Sequence, residues 1–140
     1  MHLFARFLPM LAAGLLAVAP VHAQQSSFTI ELNNLEAVDG GCRLTFVAQN
    51  GTGVNLTRTS YDVAVFDDGG AVSDRLILEF GELPGGKTRV VQFLLNRSCT
   101  ALSRLLLNGA EECTDESGAA SRVCMDALAP SSRVAVGFGS

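Results

Sequence analysis

Apolar residues recur at every second position along most of this chain, and glycine- and aspartate-rich turns cut the alternation into short runs. Successive side chains of an extended strand point to opposite faces, so a period of two marks strands with one buried face. Phe28, Ile30 and Leu32 alternate with Thr29, Glu31 and Asn33. Cys42, Leu44, Phe46 and Ala48 form a second run, and Tyr61, Val63 and Val65 a third, with Ala64 and Phe66 on its other face. Leu76, Leu78 and Phe80 make a fourth, Val91, Phe93 and Leu95 a fifth, and Val134, Val136 and Phe138 a shorter last one. Between them stand Asp39-Gly40-Gly41, Asn50-Gly51-Thr52-Gly53, Asp67-Asp68-Gly69-Gly70 and Leu83-Pro84-Gly85-Gly86. Gly and Asp supply the positive φ angles and local hydrogen bonds of tight turns. Short strands at this spacing, apolar on one face, predict an all-β fold whose two sheets meet on their inner faces.

Two segments depart from the pattern. In residues 100–109, Leu102, Leu105 and Leu106 have helical spacing, whereas Leu105 and Leu107 suit a strand. The shortness of the segment and its β neighbours favour the strand, with a helix as the alternative. Residues 111–122 are polar and rich in Gly and Ser, and read as a surface loop.

The first residues read as an export signal. Arg6 gives a basic start, Phe7 to Ala19 is an apolar run, and Val21-His22-Ala23 puts small residues at the places that precede a cut. The expected division is a signal peptide over 1–23 and a single domain over 24–140. The apolar run falls short of the roughly 20 residues of a membrane span, so no span is expected after cleavage. The expected location is periplasmic or secreted. Neither an Arg-Arg pair nor a Cys after the cut is present, which points to the general secretion route and away from a lipid anchor.

Removing the signal removes chemistry. His2 and His22 both lie within it, so residues 24–140 contain no His, and the chain has no Trp. Of 10 Lys and Arg residues Arg6 is lost, leaving 9 against 14 acids, a net charge of −5. A dilute acidic surface keeps a small domain soluble and argues against nucleic acid as a partner. Without His there is no Ser-His or Cys-His nucleophile, and a Ser-Lys pair would have to use Lys87, beside the turn Gly85-Gly86. No phosphate-cradling Gly loop or G-x-S-x-G is present. Asp67 and Asp68 with Asp62 or Asp74 offer oxygens to calcium, but their spacing matches no known loop, and a solvated hairpin turn is preferred. A two-carboxylate glycosidase would lack aromatic sugar platforms, because Tyr61 and the Phe residues fall at core positions. No catalytic residue, metal or cofactor is expected.

Four cysteines remain, Cys42, Cys99, Cys113 and Cys124. In an oxidising compartment an even number reads as disulfides, and three pairings are possible. If strands alternate up and down, Cys42 opens the second strand and Cys99 follows the fifth at the same end. Cys113 lies beyond a further strand, at the other end. A seven-residue strand spans about 23 Å, well beyond the roughly 7 Å allowed between disulfide α-carbons. The expected pairs are Cys42–Cys99 and Cys113–Cys124. There is no C-x-x-C and no His to share a metal, which leaves a structural role.

The stretch from Phe46 to Phe93 resembles the FxLYD type of secreted immunoglobulin-like module. The resemblance rests on Val47-Ala48-Gln49-Asn50, on Tyr61-Asp62-Val63-Ala64-Val65-Phe66-Asp67 with Gly69 or Gly70, and on Leu83-Pro84-Gly85-Gly86-Lys87-Thr88. It covers less than half of residues 24–140 and implies an immunoglobulin-like antiparallel β-sandwich of about seven strands, with two disulfides from the cysteine count. Turn motifs speak to fold and hardly to activity.

The expected function is that of an exported, non-enzymatic binding or accessory module of the bacterial periplasm. It would be a monomer that meets an unknown protein partner through an edge strand, with Arg133 to Phe138 as the candidate edge. The alternative is a pilin-like subunit that assembles by strand exchange and donates Phe28 to Leu32. A hydrolase ranks below both.

Overall fold

The computed structural model describes residues 27–140. The expected signal peptide, residues 1–23, lies outside the described residues. Eight strands form two four-stranded sheets: β1 (Phe28–Val38), β2 (Gly41–Asn50), β3 (Leu56–Asp67), β4 (Val72–Glu79), β5 (Thr88–Leu95), β6 (Leu102–Asp115), β7 (Leu128–Ser132) and β8 (Gly137–Gly139). One sheet has the order β5-β2-β1-β7 and the other β4-β3-β6-β8. A short helix, α1 (Val123–Asp126), precedes β7. This is the expected all-β sandwich, with two refinements. There is one strand more than the expected seven or so, and β1–β7 and β6–β8 pair in parallel.

The alternating residues do what their period requires. Phe28, Ile30, Leu32, Leu44, Phe46 and Ala48 are fully buried from one sheet, and Tyr61, Val63, Val65 and Leu105 from the other. Aromatic rings tie the layers together. Phe46 lies 6.0 Å from Phe80, 5.8 Å from Phe93 and 5.2 Å from Phe138, and Phe80 stands edge-on to Tyr61 at 5.9 Å. Edge-to-face rings add about 0.5–1.5 kcal/mol per pair beyond the area they bury. Between β1 and β2, Gly40 takes φ +85°, and any side chain at Gly41 would collide with the Leu95 carbonyl oxygen of β5.

The ambiguous segment is a strand, and a longer one than expected. β6 continues through Glu111 to Asp115, so the expected surface loop is corrected for its first part. Residues 112–115 pair with the start of β3, and four irregularities interrupt the β3–β6 register. Each irregularity shifts the inward-outward phase, which hides a strand from a strict period of two. The turn after β6 is organised by Asp115, whose carboxylate accepts from the Ser117 and Ala119 amides at 2.9 and 3.1 Å.

The expected last strand, Arg133 to Phe138, is also corrected. Residues 133–136 carry the chain from one sheet to the other, and only Gly137–Gly139 pair, with β6. β7, which contains Pro130, went unrecognised. It lies at the sheet edge, where a strand tolerates a missing N–H.

Both expected disulfides are present. Cys42–Cys99 has a Cα–Cα distance of 4.9 Å and Cys113–Cys124 one of 6.1 Å. Cys42 sits opposite Leu95 on the neighbouring β5, so the turn after β5 carries Cys99 back to it. Cys113 lies within β6 rather than beyond its end, and its bond fastens α1 to that strand.

Candidate functional site

The carboxylates considered for calcium do not converge. Asp62 is paired with Arg75 and accepts from Asn108 Nδ2 at 2.8 Å. The Asn108 hydrogen bond, followed by that of Arg75, holds the Asp62 carboxyl below the usual range. Asp67 accepts from the Ala71 amide at 2.9 Å, closing its own turn, and Asp74 meets Arg97 Nε at 2.7 Å. Asp62, Asp67 and Asp74 thus each have a partner of their own. Among the described residues, no three His, Cys, Asp or Glu side chains form a group able to hold a metal ion. Lys87 is exposed at its turn.

The turn residues at that end build a scaffold. Asn50 is fully buried, and its Nδ2 donates to the Val54 and Leu83 carbonyls, both at 2.8 Å. Its Oδ1 accepts from the Thr52 amide at 3.0 Å and the Thr52 hydroxyl at 2.6 Å. Gly86 N donates to the Asn50 carbonyl at 2.7 Å, and Gly85 N to Asn55 Oδ1 at 2.9 Å. One amide side chain therefore joins the β2–β3 loop to the β4–β5 turn. Sequence reading found these turns separately and missed their union, although an Asn closing an alternating strand was its trace.

The two lateral sides of the sandwich differ. On one, β7 and β8 pack together where the chain crosses between sheets, with Arg133 N donating to Leu32 O at 2.9 Å and Ser132 Oγ to Val136 O at 2.6 Å. These strands are short and the crossover covers them. On the other side lie β4 and β5, eight residues each, and among the described residues each pairs with one neighbour only. Edge strands leave backbone donors and acceptors free to pair with another strand.

This open side is apolar and split in charge. Val90 and Leu94 on β5 are 63% and 65% exposed, and Ile77 on β4 is 51% exposed. Val91, Phe93 and Leu76 pack against the core yet remain partly uncovered. No acid occurs between Glu82 and Glu111, so Lys87, Arg89 and Arg97 make the β5 edge basic within an acidic protein. The β4 edge carries Asp74 and Glu79 with one cation, Arg75, which pairs with Asp62 of β3, and it is flanked by Asp67, Asp68 and Glu82. Two contacts span the opening, the Arg97–Asp74 pair and a hydrogen bond of 2.9 Å from Arg89 Nη1 to the Glu82 carbonyl.

No family model matches this chain, and no curated protein matches it. A solved structure is similar in fold, that of IrmA from Escherichia coli. It shares 13% identity with a TM-score of 0.56, over 76% of this chain and 92% of that one. At such identity the likeness concerns the fold alone.

The open side offers free backbone hydrogen bonds, apolar side chains on the outer face and a basic border. Edges of this kind have the chemistry to pair with an extended polypeptide. It was missed in the sequence because an edge is defined by which strand lacks a neighbour, and pairing order is not written in local pattern.

Proposed function

We propose that this protein is an exported, non-enzymatic binding or accessory module of the bacterial periplasm, and that it engages a protein partner through the open β4/β5 side. The observation that carries the reading is β5: an eight-residue edge strand with Val90 and Leu94 facing solvent. Strand addition to such an edge takes affinity from main-chain hydrogen bonds and specificity from alternate side chains. Export is supported by the residue pattern of 1–23 and by two formed disulfides, which persist in oxidising compartments. A non-enzymatic role is supported by the lack of His in residues 24–140 and by the engagement of the Asp62, Asp67 and Asp74 carboxylates with partners of their own. Strand exchange finds no comparable support, because Phe28 to Leu32 fills a place between β2 and β7 in its own sheet.

The test is site-specific photo-crosslinking in the native host. A photoreactive residue at Val90 or Leu94 is expected to capture a protein adduct, whereas one at Ala129 on β7 is not. Equal capture from both sides would overturn the assignment of the edge. Fractionation checks export, and hydrolysis of an esterase or glycosidase substrate, abolished by one carboxylate substitution, would overturn the non-enzymatic reading.

A further inference from the structure

We infer that the partner of the open side is a second copy of this chain, in a closed dimer with β5 of each copy beside β4 of the other. The inference rests on the open side being the interaction surface, as proposed above. Its starting point is the register between the two edges. β4 and β5 run antiparallel in different sheets, and Arg97–Asp74 and Arg89–Glu82 link them at opposite ends of the opening. Those two contacts describe one alignment. It places Ile77 level with Leu94 and Glu79 level with Gln92.

Consider a two-fold axis lying in the opening and parallel to the strands. It exchanges the two layers, so β5 of one copy meets β4 of the other in both layers at once. It leaves positions along the strands unchanged, so the alignment within one copy becomes the alignment between copies. Arg89 then comes level with Glu82 of the second copy and Lys87 with its Pro84, while Glu79 faces Gln92. Arg97 comes level with the second copy's Asp74. On the continuous outer face, Ile77 of one copy adjoins Leu94 of the other. Arg89 and Arg97 of one copy thus stand at acidic positions of the other, and Leu94 at an apolar one.

The alternatives satisfy less of this. Pairing β5 with β5 joins two edges whose charged residues, Lys87, Arg89 and Arg97, are all basic, and pairing β4 with β4 joins two edges that are acidic in net, Asp74 and Glu79 outnumbering Arg75. The β4–β5 arrangement uses the same patch on both copies, so it closes at two and does not propagate. Both open edges are filled in one step, and the uncovered flanks of Val91, Phe93 and Leu76 are removed from water. The monomer expected from the sequence is replaced, in this reading, by a dimer.

Analytical ultracentrifugation of the purified protein tests the inference. The expected mass is that of two chains. Ile77→Lys and Leu94→Glu change exposed positions, so the circular dichroism of each variant is expected to stay that of the parent. Each variant alone is expected to sediment as a single chain. A one-to-one mixture of the two is expected to recover the mass of two chains, because one of its two β4–β5 contacts is native and the other joins opposite charges. A single-chain mass for the parent protein up to its solubility limit would overturn the inference. So would a dimer that tolerates both substitutions, or variants that fail to complement one another. A single-chain mass combined with a heterologous adduct at Val90 would remove the second copy as partner while keeping the binding edge.

Discussion

Asn50 and Tyr61 show how single side chains decide the behaviour of this fold. Asn50 satisfies two carbonyls, one amide and one hydroxyl in a place closed to water. Truncation removes all four bonds at once and leaves buried polar groups unpaired. Asn50→Ala is therefore expected to lower stability by about 2–3 kcal/mol, read as a lower urea midpoint. Tyr61 is the one tyrosine, in a chain without Trp. Its ring is fully buried and its hydroxyl donates to the Cys124 carbonyl at 2.8 Å. Burial pushes its phenol upward from the ordinary value. A group whose value is raised on folding stabilises fully below the unfolded value, about 10, and loses that contribution as pH climbs above it. Tyrosinate absorbance is thus expected to appear together with loss of the β-sheet dichroism. Ionisation near pH 10 with the dichroism intact would mean that the ring is solvated.

At the scale of elements, the disulfides and the irregular strands carry the argument. Cys42–Cys99 closes a separation of 57 residues and Cys113–Cys124 one of 11. On chain entropy, removing the first costs about 4 kcal/mol and removing the second about 3 kcal/mol. Replacing each pair by Ala and comparing thermal midpoints is expected to rank them in that order. Strands β1 to β5 were visible in the sequence because each contains a stretch of unbroken alternation, the whole of β2 but only about half of β1 and β3. β6 was visible over its leucine-rich part, and residues 111–115 were read as loop because they are polar and follow a register irregularity against β3. β7 was concealed by Pro130, whose missing N–H argues against a strand everywhere except at an edge. The final run, 134–138, has the right alternation yet splits, because its residues leave one sheet before they join the other.

The whole molecule has one covered side and one open side, and its charge is divided across the opening. Basic residues line the β5 edge, and on the β4 edge and its flanks acids outnumber the one cation, Arg75. An interface made from those edges has opposite charges near the surface, which salt screens over a Debye length of about 10 Å at 0.1 M. The dimer is therefore expected to weaken as sodium chloride is raised, measured as a rising dissociation constant in sedimentation. An unchanged constant would mean that Ile77, Val90 and Leu94 hold the copies without help from charge.

The order of apolar and polar residues by itself determined that this protein is all β and where the centres of most strands lie, and with an alternating strand order it gave the cysteine pairs. These follow from local rules: the two-residue period of an extended chain, the φ angles of Gly and the reach of one strand. The tertiary structure alone decided which strands are neighbours, that β1 and β6 each accept a parallel partner, that Asn50 unites two turns and that β4 and β5 are left with free edges. Pairing across a sheet is set by the summed packing of residues far apart in the chain. No window of sequence contains that sum, so the open side became visible only once every other strand had found its place.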